Sequence, residues 1–334
     1  MKYLPPIIIF LFCLLLLFFP ELVQSSASEA LTLWWSRVLP SLFPFYVLTS
    51  MLNRTRWLQE ISTHNGWSAV LCFSIGGFSG YPTGARLSRL LGRETLAPFC
   101  NLCSPIFLLS VVSIGMYGNA AMFAPLAIAH YGTALLSLLI HFLFSEQEDS
   151  SVTGLNPIKG SIISDIGDSM FAMIRIGGCI LFFYVASQLI EHLIFGTSYP
   201  LLQVLFTGIF EVTIGCSNAV QLHFPPRVTA GLLAFFVSFG GLSIFSQAML
   251  VAELKQPLKY LFWKTVQAFS AALIAYFITP LFIHNTMPVL QNAAEIYAQN
   301  SLTCFAFFAA ACLGLVGSYL FAQITHHIKK VHSA

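Results

Sequence analysis

The chain has 334 residues, of which 57% are hydrophobic, 14% aromatic and only 8% charged, at a formal net charge of +2. Its mean hydropathy is +0.80, and soluble domains carry roughly a quarter charged residues, so the composition excludes a soluble globular enzyme and points to an all-α, polytopic membrane protein whose first partner is the lipid bilayer. The small charge and the lack of any basic run longer than His326 to Lys330 exclude a nucleic-acid partner.

In chain order, Lys2 and the apolar run from Ile7 to Phe19 form a signal-anchor segment (1–28). It is expected to stay as a first spanning helix, the alternative being cleavage at the small residues Ser25 to Ala27. Further apolar stretches fall at 30–52, 66–80, 98–117, 120–144, 168–190, 200–217, 228–250, 260–283 and 301–322. About 20 apolar residues are needed to span a bilayer. The stretch at 66–80 is short and holds Gly66, Gly76, Gly77 and Gly80, so it reads as a broken or re-entrant segment, as does 98–117. Letting both dip in and return keeps Arg54 and Arg56 on the same cytoplasmic side as Arg86, Arg89 and Arg93. The pattern predicts eight to ten membrane elements.

The polar loop 145–165 separates two halves, 29–144 and 166–283, followed by a C-terminal helix and tail at 284–334. The run from Arg37, "RVLPSLFPFYVLTSML", matches "RIGGCILFFYVASQLI" 138 positions later at Arg175. At the same offset Gly77 and Ser79 meet Gly215 and Ser217, which predicts an internal duplication. Repeats with interrupted helices at corresponding positions are the sequence pointer to a transporter site near the midplane.

Four interruptions carry the candidate chemistry. In "GGFSGYPTGAR" the hydroxyls of Ser79, Tyr81 and Thr83 lie beside backbone bared by Gly80, Pro82 and Gly84, with Arg86 following. A helix starting near Thr83 would aim its N-terminal amides at the break. The competing reading is that these glycines only let helices approach closely. In "CNLCSP" Asn101, Ser104 and Pro105 interrupt an apolar run, while Cys100 and Cys103 lack the companion ligands that a structural zinc needs. The second half supplies Glu211 with Ser217 and Asn218, then Ser243 and Gln247 beside Gly240 and Gly241. A carboxylate at membrane depth is either a proton- or cation-coupling group or the partner of Arg175 or Arg37. Histidines form no metal-binding pair and are expected at loops or helix ends. No nucleophile elbow, phosphate loop or paired catalytic carboxylates are present, so no enzyme, cofactor or metal is expected.

"GYPTGARL", "FCNLCSPIFLLSVVSIGMYG" and "LAIAHYGTALL" resemble the family of the sporulation integral membrane protein YlbJ, from about Leu31 to the 260–283 stretch. That family carries a nucleoside-recognition or Gate domain similar to parts of concentrative nucleoside transporters and ferrous-iron transporters. By match, Gly80, Tyr81, Pro82, Gly84 and Ala85 take its GYPxGA signature, and Cys100, Asn101, Ser104 and Pro105 its CNNxxP-like one. The chain departs from the pattern at Leu102 and at Cys103-Ser104. The resemblance implies a multi-pass protein of a bacterial cell membrane, in the mother cell or outer forespore, needed for the spore coat or cortex. The expected function is a permease for a small polar solute, with a coupling cation or proton, the state of homo-oligomerisation being open. The alternative is a non-transporting membrane scaffold for spore-envelope assembly.

Overall fold

The computed structural model describes residues 4–52, 55, 65–144, 161–194 and 200–283. The C-terminal segment 284–334 and most of the polar loop fall outside the described residues. Every regular element among the described residues is helical, as a chain must be whose backbone groups have to pair within a segment surrounded by lipid. Among the described residues four helical runs are long and apolar enough to cross a membrane: Ala120–Phe144, Ile162–Ile194, Pro226–Ala252 and Pro257–Leu281. A bent pair at the N-terminus, Ile9–Phe18 with Pro20–Ser36, is either a broken span or a re-entrant loop, and there are shorter apolar helices besides. The protein is an all-α, multi-pass membrane protein.

Helix α1 (Leu4–Phe18) meets α2 (Pro20–Leu33) at 97°. Pro20 opens α2, where its missing N–H is no loss. From there the helix runs on through a π turn at Trp34–Val38 into α3 (Leu39–Leu52). The small residues Ser25 to Ala27, the alternative cleavage site in the sequence, therefore lie within α2.

Helix α4 (Asn65–Ser79) is followed by α5 (Thr83–Leu90), and the two pack together as a helical hairpin turning at Gly80 to Pro82. At 15 and 8 residues neither arm can cross a bilayer. Gly80 has φ +82°, a left-handed turn that glycine adopts without strain. Next come the single turn α6 (Ala97–Cys100), an unwound stretch from Asn101 to Ser104, and a helix begun by Pro105 that is π-wound over Phe107–Met116. Pro105 thus opens this helix, and its fixed φ suits that position. Helix α7 (Phe123–Phe144) is unbroken.

The second half begins with α8 (Ile162–Ile194), which starts inside the run assigned from sequence to the polar loop. It packs along α2 and α3, with Trp34 Nε1 donating to the Met173 carbonyl at 3.2 Å and Tyr184 to Glu29 at 2.7 Å. The stretch 200–217, expected as one element, is two helices. Helices α9 (Pro200–Phe210) and α10 (Val212–Gln221) pack against each other and turn at Glu211. A side chain on Gly215 would strike Gly208 across this hairpin, just as one on Gly76 would sit 2.7 Å from the Gly84 Cα across the first. Helices α11 (Pro226–Phe239) and α12 (Gly241–Ala252) are separated by Gly240, at φ +84°. Helix α13 (Pro257–Ile278), 22 residues long like α7, packs on both α7 and α11. Phe73, Phe99, Phe123 and Phe236 are the largest apolar side chains of that buried core.

Candidate functional site

The turn of each hairpin and the interruption beside it come together in the interior. Gly80 and Tyr81 from the first turn, Cys103 and Ser104 from the unwound stretch, Glu211 to Thr213 from the second turn, and Ile244 and Gln247 from α12 line one cavity of about 40 Å³. That is room for a water or two and nothing larger. Leu42, Ile176 and Ile180 close it on the α3 and α8 side.

Glu211 is 1% exposed, and its carboxylate serves its own helix. It accepts from the backbone of Thr213 at 2.7 Å and Ile214 at 3.0 Å, and from the Thr213 hydroxyl at 3.1 Å. A carboxylate in that place satisfies two of the amides left open at a helix start and faces the positive end of the peptide dipoles. Glu211 is thus bonded to the α10 amide end, and no ion pair joins it to Arg175; the Arg37 side chain is outside the described residues.

The unwound stretch is held from the far side by groups that the sequence reading left aside. Lys264 on α13 is 0% exposed and donates from Nζ to the Asn101 carbonyl at 2.7 Å. It also reaches Gln267 Oε1 at 3.5 Å and lies 5.9 Å from the centre of the Tyr81 ring. Asn101 Nδ2 donates to the Tyr260 hydroxyl at 2.8 Å. His130, 1% exposed, accepts from the Cys103 amide at 3.0 Å through Nε2 and pairs with the Ser238 hydroxyl at 2.9 Å through Nδ1. The Tyr131 hydroxyl donates to the Cys103 carbonyl at 2.8 Å. This histidine is a buried strut of the break and not the loop or helix-end residue expected. The signal for Lys264 was in plain view: a lysine inside an apolar run is a site hypothesis by default. That for His130 was its place in the run "LAIAHYGTALL".

A second cavity of about 370 Å³ adjoins the first, sharing Ile176 and Gln247 with it. Arg86, Arg89 and Arg175 line it together with Tyr46, and Asp168 is the carboxylate of the lining. Arg89 is already paired with Glu253 at 2.7 Å. Arg86 lies over the Tyr46 ring at 4.5 Å and donates to Ser50 at 3.3 Å, while its Nη1 is buried without a partner. Arg89, Lys255 and Glu94 mark the same end of the molecule, the last two 3.5 Å apart.

The chain resembles the sporulation membrane protein YlbJ. It is 24% identical over 285 residues to "Sporulation integral membrane protein YlbJ" of Bacillus subtilis (strain 168), a match covering 68% of this chain and 70% of that protein. The resemblance read from the sequence motifs is thereby borne out at the level of distant similarity. No family model matches the chain, and no solved structure does.

Of the residues singled out by sequence, Gly80, Tyr81, Ser104, Glu211 and Gln247 line the central cavity. Tyr81 donates its hydroxyl to the Val237 carbonyl, tying the first hairpin to α11. Ser79, Pro82 and Thr83 are buried around the same turn. Ser104 accepts from the Phe107 amide at 3.3 Å, and Ser243 from Gln247 Nε2 at 3.2 Å. Asn101 and Arg86 sit elsewhere, the first on the Lys264 side of the break and the second in the larger cavity. Ser217 and Asn218 lie within α10, past the turn, with Asn218 donating to Thr207 of the other arm at 3.3 Å. Gly84 is a close-packing position: a side chain there would overlap the Cys100 carbonyl. The first hairpin therefore uses Gly84 and Gly76 to let backbones approach, and Gly80 to make the turn that faces the cavity.

Proposed function

We propose that the protein is a permease for a small anionic solute, which enters the arginine-lined cavity and passes through the centre when the two hairpins move. The observation that carries this reading is the convergence of Arg86, Arg89 and Arg175, with Asp168 as the carboxylate of the lining, on a cavity of about 370 Å³ that shares Gln247 with the central one. Solute sites typically measure 300–1,000 Å³, and a guanidinium fork matches a carboxylate or phosphate edge. The central cavity of about 40 Å³ is then the shut gate of a resting state. The two halves, each with a hairpin, a broken helix and a 22-residue helix, support the reading of an internal duplication. Interrupted helices paired in this manner favour alternating access about a fixed centre.

The relative's name, a sporulation integral membrane protein, supports a role in sporulation, with the protein in a membrane of the developing spore and the solute bound for, or leaving, its envelope. A coupling cation or proton belongs to the same reading, with Glu211, the buried carboxylate on the central cavity, as the group that would carry it.

Thermal unfolding of the purified protein in detergent tests the solute class. Inorganic phosphate and small dicarboxylates, dipicolinate among them, are expected to raise the unfolding temperature, as any ligand of the native state must. Nucleosides and neutral amino acids are expected to leave it unchanged, and Arg175→Gln to abolish the rise. Stabilisation by nucleosides alone would refute the anionic class. A protein stabilised by none of these would favour a membrane scaffold for spore-envelope assembly.

A further inference from the structure

We propose that Lys264 is a built-in cation, its ammonium filling the seat at the unwound stretch where a transporter of broken helices would otherwise bind sodium. In such proteins the unwound carbonyls and the C-terminal ends of half-helices coordinate the coupling ion, because the last carbonyls of a helix have no internal partner and carry the negative end of its dipole. The carbonyl of Asn101, directly after α6, is one of these groups, and Lys264 Nζ sits 2.7 Å from it. Gln267 Oε1 lies at 3.5 Å and the centre of the Tyr81 ring at 5.9 Å from the same nitrogen, with Cys100, Cys103 and His130 also close enough to feel its charge. A carbonyl oxygen, an amide oxygen and a π face are groups that attract a cation. Among the described residues no carboxylate pairs with Lys264, which is fully buried. Burying an ammonium costs several kcal/mol even after relaxation, and the bared carbonyl and its neighbours offset part of that cost. Asn101 Oδ1, buried without a partner in the same stretch, adds a third oxygen that a metal ion could use if the ammonium were gone.

Two consequences follow. The protein needs no sodium at this place, and the unwound stretch is tethered to α13 as part of the fixed frame. The proposal builds on the permease reading for its mechanistic meaning, but its test uses no solute, so either can fail alone.

The test compares purified protein in sodium chloride and in choline chloride at equal ionic strength, by thermal unfolding and by binding of radioactive sodium ion. The wild type is expected to unfold at the same temperature in both and to show no saturable sodium binding. Lys264→Ala is expected to bind sodium saturably and to gain several degrees in sodium over choline. Lys264→Gln, which keeps a polar group of similar length, is the second variant should the alanine form not fold. Saturable sodium binding by the wild type overturns the proposal, and so does a folded variant that does not respond to sodium. If neither variant folds, the wild-type measurement decides it alone.

Discussion

Lys264 donates to the backbone carbonyl of Asn101 at 2.7 Å, joining α13 to the unwound stretch across 163 residues of chain. On the other side of that stretch His130 takes the Cys103 amide and Tyr131 supplies the Cys103 carbonyl. A helix interrupted in an apolar interior is tolerable only if its bared groups find partners, and here they come from α7 and α13.

Lys264→Ala, measured in choline buffer, is expected to lower stability by about 1–3 kcal/mol for the orphaned Asn101 carbonyl, and further for the space left behind. Denaturant or thermal unfolding in detergent reads the change. An unaltered midpoint would show that the bond contributes nothing.

His130→Ala removes the acceptor of the Cys103 amide and the partner of Ser238 together. The expected loss is again about 1–3 kcal/mol. His130→Gln, which can still accept a hydrogen bond, should recover part of it. Equal unfolding temperatures for the two variants would contradict the role of His130 as a strut.

Gly84→Ala is expected to prevent correct folding, since the added methyl overlaps the Cys100 carbonyl and backbone cannot step aside cheaply. Gly132→Ala is the control: it lies within α7, and nothing stands within 4 Å of the position its methyl would take. Alanine there should be neutral or add up to about 1 kcal/mol through helix propensity. Yield of monodisperse protein after size exclusion distinguishes them.

Glu211→Ala strips the α10 start of the carboxylate that accepts from Thr213 and Ile214. Losing a helix cap costs about 0.5–2 kcal/mol, and the buried amides left without a partner place the expectation at the upper end. Glu211→Gln keeps an acceptor oxygen and should lose less. A variant order reversed from this would mean that the carboxylate is not acting as a cap.

The interruptions at Gly80, Asn101 to Ser104 and Gly240 were legible because glycine, proline and small polar residues are poor company for an apolar helix. The remaining one, in the 200–217 stretch, was misplaced. Gly215 and Ser217 suggested a break, yet the chain turns at Glu211, whose extended backbone is capped by its own side chain, and Gly215 serves instead to admit Gly208. Local composition cannot tell a turning glycine from a packing one. Lys264, a lone lysine inside the apolar 260–283 stretch, carried a signal that the sequence reading did not use. Only its approach to Asn101, far away in sequence, reveals that it points inward. Of the alternatives left open for Glu211, pairing with Arg175 is not the one formed, and Arg175 instead lines a cavity with Arg86 that α3, α5, α8 and α12 make together.

Uptake of a labelled small dicarboxylate into liposomes holding the reconstituted protein tests the central claim most directly. The account predicts saturable uptake above that of empty liposomes, reduced about tenfold or more by Arg175→Gln, the loss of one charge-assisted contact of about 1.5–3 kcal/mol. Uptake no greater than in empty liposomes, from protein shown to be folded and inserted, would contradict it, as would full activity in the Arg175→Gln variant.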